Sequence, residues 1–215
     1  MAMYFMSGKT FLNQYINEDP KKVMKTQFVI VSSTIRKNGK YEDQVINGNN
    51  VLAPSQYLIA DYDDYKHNTE YRREYFNQLD EGRAFLATII KYVIEENMTV
   101  VLLCGQREKK YNYLNMIQEY VEQEFGFHIY DYKKYKDGKE KPVKIDQSEV
   151  LYVCNRILKK AKKDKKKKML STEKGRKSYI SEMKKKTMKK ELKKRGLYVD
   201  DMSKSEMEDM LQTFL

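Results

Sequence analysis

An unbroken apolar run, Thr99-Val100-Val101-Leu102-Leu103-Cys104, followed at once by Gly105, constrains the fold of this chain more than any other feature. It is far shorter than the roughly 20 residues that a membrane-spanning helix needs. It also lacks the polar alternation of a strand with one wet face. A short, partly β-branched run of this kind predicts a strand buried on both sides, which means a sheet with helices packed over it.

The flanking sequence fits that expectation. From about Thr69 to Asn97 the spacing is helical, with Tyr71, Tyr75, Phe76 and Leu79 on one stripe and Leu86, Ile89, Ile90, Val93 and Ile94 on another, and Gly82 divides the two. After the polar loop Gln106 to Lys110, Leu114, Ile117 and Val121 mark a further helix that Gly126 stops. Phe127-His128-Ile129-Tyr130 reads as a strand, as do Phe28 to Val31 and Leu58-Ile59-Ala60, with turn chemistry at Asn38-Gly39, at Asn47 to Asn50 and at Pro54. The order strand, helix, strand, helix, strand predicts an α/β fold: a small parallel or mixed sheet flanked by helices, with a C-terminal basic helical extension.

The chain has 215 residues, enough for one ordinary domain and a smaller module, and its 40% hydrophobic and 12% aromatic content suffices for a core and argues against wholesale disorder. Cys104 and Cys154 both lie in apolar runs without paired spacing, so free thiols in a reducing compartment are expected rather than a structural zinc site. No apolar stretch approaches a span, and Met1 to Leu12 lacks the long apolar centre of a signal peptide, so a cytoplasmic location without membrane contact is expected. With His67 and His128 the only histidines, no histidine metal site is expected, and no cofactor is assigned.

The net charge of +11 is localised. Residues 1–150 carry 21 Lys+Arg against 22 Asp+Glu, whereas residues 151–215 carry 21 against 9. The polar, turn-rich segment Lys136 to Pro142 suggests a boundary, giving an α/β domain over 1–135, a linker over 136–146, an amphipathic-to-basic helix over 147–170 and a basic helical module over 171–215. The third of these starts from Ser148 as N-cap candidate, carries Val150, Leu151, Val153, Cys154, Ile157, Leu158 and Ala161 at helical spacing, and then enters a lysine run from Lys159 to Lys168. Such a run is either a solvated face or a polyanion site.

The last residues hold the most specific pattern. In Met188-Lys189-Lys190-Glu191-Leu192-Lys193-Lys194-Arg195-Gly196-Leu197 the apolar residues Met188 and Leu192 are four apart, and Gly196 is placed as a C-cap. Ser203 and Glu206 then fit a capping box ahead of Met207, Met210 and Leu211. Residues 183–215 thereby resemble the SAP and related helix-extended-loop-helix modules, small DNA-binding units appended to chromatin, repair and phage proteins. The resemblance rests on Glu191-Leu192-Lys193, Arg195-Gly196-Leu197, Lys204-Ser205-Glu206-Met207 and Leu211. It departs from the family pattern where Asp201 or Met202 replaces a glycine and Met210 takes a basic position.

The resemblance and the charge together imply a nucleic-acid-binding accessory protein, with duplex DNA the expected partner. Lysines that neutralise phosphates release counterions, and an arm so poor in Arg, Asn and Gln predicts little base readout. Phosphate contact is assigned to Lys184, Lys185, Lys186, Lys189, Lys190, Lys193, Lys194 and Arg195, with Lys165, Lys166, Lys167 and Lys168 as a secondary patch. The acids Glu206, Glu208 and Asp209 are expected to face solvent or a protein. The composition, rich in Lys, Tyr, Asn and Met, resembles that of phage proteins.

Other features compete with this reading. Cys104 ends a buried strand where open α/β sheets place ligands, but a core residue is the plainer expectation, and no catalytic residue is assigned. The stretch Tyr71 to Tyr120 also resembles an uncharacterised α/β family in which a Leu-Leu-Cys strand end precedes a Cys-His-Arg motif; the second motif is absent, so no activity carries over. His128 is expected to pack at a rim. Tyr130, Tyr132 and Tyr135 either stack on bases or pack at the sheet edge. The acids Asp61, Asp63 and Asp64, with Glu108 and Lys109, offer the alternative of a metal-dependent nuclease tethered by the basic arm. A modulator that binds a host protein such as polymerase or replication machinery is the second alternative.

Overall fold

The computed structural model describes residues 2–7, 26–31, 45–47, 49–61, 68–104, 113–198 and 202–214. They form two compact units, residues 1–158 and 159–215.

Unit 1 is an α/β domain. Its strands are β1 (Ala2–Ser7), β2 (Thr26–Ile30), β3 (Val45–Asn47), β4 (Thr99–Cys104) and β5 (Tyr130–Asp131). They lie in the order β3-β2-β4-β1-β5 with every neighbouring pair parallel. The apolar run 99–104 is the central strand, in register with β1 from Ala2↔Thr99 to Ser7↔Cys104 and with β2 from Thr26↔Thr99 to Ile30↔Leu103. Val100 to Cys104 are all buried, which is why no polar alternation interrupts them.

The helices of this unit are α1 (Asn49–Leu52), α2 (Gln56–Asp61), α3 (Thr69–Glu81), α4 (Arg83–Glu95), α5 (Tyr113–Phe125) and α6 (Tyr132–Lys136), joined by the first part of α7 (Gln147–Leu170). Asn68 caps α3, its side chain accepting from the N–H groups of Glu70 and Tyr71. The helix then buries Tyr71, Tyr75 and Leu79 at four-residue spacing. Gly82 separates α3 from α4. The Gln78 amide pins the approach to α2, accepting from the Ser55 N–H at 2.9 Å and donating to the Ala53 carbonyl at 2.6 Å. Val150 and Cys154 of α7 complete the core, flanked by Leu151, Val153, Ile157 and Leu158. The unit therefore runs on through the turn-rich residues 136–146 and ends inside a helix, where the apolar spacing gives way to lysines.

Several expectations are corrected. Leu58-Ile59-Ala60 is helical, because Ser55 receives the N–H of Leu58 on its hydroxyl and that of Ile59 on its carbonyl, starting a turn right after Pro54. Of 127–130 only Tyr130 joins the sheet, together with Asp131, although Phe127 and Ile129 are buried. Asp146, not Ser148, caps α7, accepting from the N–H groups of Ser148 at 3.0 Å and Glu149 at 3.2 Å. Strands β1 and β3 carried too weak a signal to be read: β1 is Met-Tyr-Phe-Met at its centre with no β-branched residue, and β3 has three residues beside a glycine-asparagine turn sequence. Asn38, Gly39, Gly48, Gly105 and the loop 106–110 lie outside the described residues. Among the described residues no helix is long and apolar enough to cross a membrane.

Unit 2 begins with the second part of α7 and continues with α8 (Glu173–Ser181), α9 (Lys185–Lys194) and α10 (Lys204–Phe214). Helices α8 and α9 both pack on α10 around Ile180, Met183, Met188, Leu192, Met207 and Leu211. Helix α8 was not legible in the lysine-rich sequence, yet its Ile180 is fully buried.

Candidate nucleic-acid interface

The charge divides with the units. Residues 1–158 hold 22 Lys+Arg and 22 Asp+Glu, so the whole excess of +11 belongs to unit 2, with 20 against 9.

Helix α9 organises one part of it. Met188 and Leu192 are fully buried in the small core. That burial turns the remaining surface of the helix outward as two rows, Lys185, Lys189, Lys193 and Lys186, Lys190, Lys194. Within each row the residues are four apart, about 6 Å along the axis. Like charges at this spacing cost a few tenths of a kcal/mol per pair, a cost that a polyanion lying along the rows would remove. Lys184 precedes the helix at its N-cap, and Arg195 ends it, paired with Glu191 at 3.1 Å. Among the described residues, Lys184, Lys185, Lys186, Lys190 and Lys194 form no ion pair. The Lys189 and Lys193 ammonium groups stand 4.6 Å and 5.1 Å from the centre of the Tyr198 ring, which holds both stems on one side.

The end of α9 follows from Gly196, whose φ of 69° lies in the left-handed region. The Leu197 N–H donates to the Leu192 carbonyl at 2.9 Å and the Gly196 N–H to the Lys193 carbonyl at 3.1 Å, a Schellman closure that folds Leu197 back onto the core. At the start of α10 the Ser203 N–H donates to Glu206 Oε2 and the Glu206 N–H to Ser203 Oγ. Glu208 pairs with Lys204 at 3.2 Å, and Asp209 is exposed.

Lys165, Lys166, Lys167 and Lys168 lie on α7, all exposed. They belong to a longer stretch with Lys159, Lys160, Lys162 and Lys163, residues that the sequence marked only as a charge run. At 100° per residue the eight lysines leave no arc wider than about 80° unoccupied. Lys166 also stands 5.1 Å from the Tyr179 ring of α8. Tyr179 and Tyr198 are thus residues of the site that sequence reasoning missed; neither shares a helix with the lysines it touches, so no local spacing pointed to it.

The competing features fall elsewhere. Cys104 is 3% exposed, and its thiol donates to the Met6 carbonyl at 3.4 Å. Both cysteines are free and buried. Burial pushes the Cys154 thiol up to about 11. His128 sits at a rim between two carboxylates, Nδ1 facing Glu122 and Nε2 lying 3.0 Å from Glu140. Tyr130, Tyr132 and Tyr135 gather around Tyr4, with ring centres 5.5 to 6.0 Å from it, and pack at the sheet edge. Asp61 closes α2, and Asp63, Asp64, His67, Glu108 and Lys109 lie outside the described residues. Among the described residues no group of three His, Cys, Asp or Glu could hold a metal ion.

A family model described as the inactive DUF488-N3 subclade matches residues 38–136. The match lies within unit 1, spans β3 through β5, covers less than half of the chain and leaves unit 2 outside it. No curated protein and no solved structure matches the chain.

Proposed function

We propose that unit 2 anchors this protein on nucleic acid, with duplex DNA as the partner, through phosphate contacts that carry little base specificity. The observation that carries the reading is α9: its apolar pair is spent on a private core, so its six lysines are presented together, without ion pairs for most of them. The resemblance to the SAP modules supports it, since Gly196 ends one helix and the Ser203–Glu206 pair starts the next.

The lysine stretch of α7 favours duplex DNA. A helix resting on one row of phosphates uses a single face. Lysines on every side suit a helix lying between two phosphate rows, as in the major groove of B-form DNA, about 12 Å wide. The deep, narrow major groove of A-form RNA does not admit side chains in this way. Under the same reading unit 1 has no catalytic role, which the similarity of residues 38–136 to a subclade described as inactive supports.

The test is fluorescence anisotropy of a labelled DNA duplex across a salt series. Micromolar or tighter binding that weakens steeply with salt, and that is lost when Lys185, Lys186, Lys189, Lys190, Lys193 and Lys194 become Gln, is the expected result. No binding at low salt would sink the reading.

A further inference from the structure

We infer that unit 1 carries a binding pocket for a phosphorylated small molecule at the carboxyl ends of β1, β4 and β5. The topology places it. From β1 the chain continues to β2, which lies beyond β4 on one side, whereas β4 leads through α5 to β5 on the other side of β1. Strands β1 and β4 are adjacent, with outgoing connections that diverge, and a parallel sheet opens a crevice at such a point. The register sets Ser7 beside Cys104 at its edge.

A cavity of about 530 Å³ occupies this position. That volume lies in the range of small-molecule sites, roughly 300 to 1,000 Å³. Its wall is apolar where Phe5, Met6 and Leu114 face it, and Lys133, Lys134 and Lys139 border it on the side of α6. The three lysines are gathered by one turn. Gly138, with φ of 69°, ends α6 in a Schellman closure in which the Lys139 N–H donates to the Lys134 carbonyl at 2.8 Å. This reversal returns Lys139 to the side of Lys133 and Lys134. None of the three forms an ion pair among the described residues.

Two acids, Asp131 and Asp137, also border the cavity. Asp131 is occupied as the cap of α6, its Oδ1 accepting from the N–H groups of Lys133 at 3.0 Å and Lys134 at 3.1 Å. Three lysines against two carboxylates leave the rim with a net charge of +1. An apolar floor with lysines along one side fits a compact ring body that carries phosphate, as in a nucleotide, better than a bare anion or a neutral ring. The Cys104 thiol, which also borders the cavity, donates to the Met6 carbonyl at 3.4 Å.

The inference is independent of nucleic-acid binding by unit 2, and calorimetry on the full chain separates them. The probes are ADP, pyrophosphate and adenosine, titrated into wild type, into K133Q/K134Q/K139Q, and into K165Q/K166Q/K167Q/K168Q as control for diffuse attraction to unit 2. ADP is expected to bind one to one, with pyrophosphate and adenosine each weaker. The pocket variant should lose on the order of tenfold in ADP affinity or more, as expected for charge-assisted contacts, while the control keeps it. L114W, which fills the cavity, should abolish ADP binding and leave duplex anisotropy unchanged. Absence of ADP binding to wild type, or equal binding by K133Q/K134Q/K139Q, or loss only in the control variant, would overturn the inference whatever the duplex result.

Discussion

Ser203 and Glu206 hold each other at the head of α10: the Ser203 N–H donates to Glu206 Oε2 at 2.7 Å, and the Glu206 N–H donates to Ser203 Oγ at 3.2 Å. The hydrogen bonds from Ser203 keep the Glu206 carboxyl below its ordinary value. A depressed carboxyl stabilises the fold above its unfolded pKa, about 4.3, and loses that contribution as pH falls through the folded value. Ser203→Ala should therefore speed amide exchange at the start of α10 at neutral pH, with an Ala-for-Ser cap cost of about 1 kcal/mol. The difference between variant and wild type should shrink in acid. A variant that exchanges like wild type at pH 7 would show that the cap contributes nothing.

Gly196→Ala tests the end of α9. A Cβ at this position meets nothing within 4 Å, so the penalty is that of the left-handed backbone alone. It should be about 1 kcal/mol, with Asn tolerated better than Ala. Thermal unfolding of the two variants, followed by circular dichroism, gives the ranking.

Leu192→Ala opens the small core of unit 2. Leucine truncation in a core costs about 2 to 5 kcal/mol, a large share of what so small a module can hold. Hydrogen exchange should show protection lost over α8 to α10 and kept in β4. Duplex affinity should drop in proportion to the folded fraction left, about tenfold if one module in ten stays folded. Unchanged affinity would mean that the lysines act as an unstructured chain.

Arg72 and Glu119 join α3 to α5 through a two-pronged ion pair. The Arg72 guanidinium holds the Glu119 carboxyl below its ordinary value. Their side chains are 39% and 38% exposed, so solvent screening limits the pair to below about 1 kcal/mol. A double-mutant cycle with Arg72→Ala and Glu119→Ala should give a coupling of that size at pH 7. The coupling should disappear as pH falls through the folded value of Glu119, because a depressed carboxyl contributes only while ionised.

Neither thiol should react with Ellman's reagent in the native protein at pH 8. Cys104 and Cys154 are both buried, and Cys154 remains a protonated thiol well above that pH. Two thiols should titrate once denaturant unfolds the chain. Fast reaction of one thiol in buffer would show that unit 1 opens locally.

What could be read without the structure was whatever a local pattern enforces. The run Val100 to Leu103 has no polar position and reads as an interior strand; Met188 and Leu192 are one turn apart, Gly196 ends its own helix, and Ser203 and Glu206 bond each other three residues apart. The lysine excess is additive and needs no fold to be located. Leu58 to Ala60 misled because an apolar triplet suits either state, and a cap on Ser55 decided it.

Tertiary structure alone decided the relationships between distant segments. Strand β1 is recognisable only through its pairing with β4, nearly a hundred residues away, and the order β3-β2-β4-β1-β5 has no counterpart in any window of sequence. A longer stretch of chain, 129 residues, separates Phe5 from Lys134, which border one cavity because parallel strands put their carboxyl ends on one edge. Helix α8 joined the basic module because Ile180 found a cover in α10. Local propensity acts over one or two turns, whereas burial is settled by whichever surfaces the folded chain brings into contact.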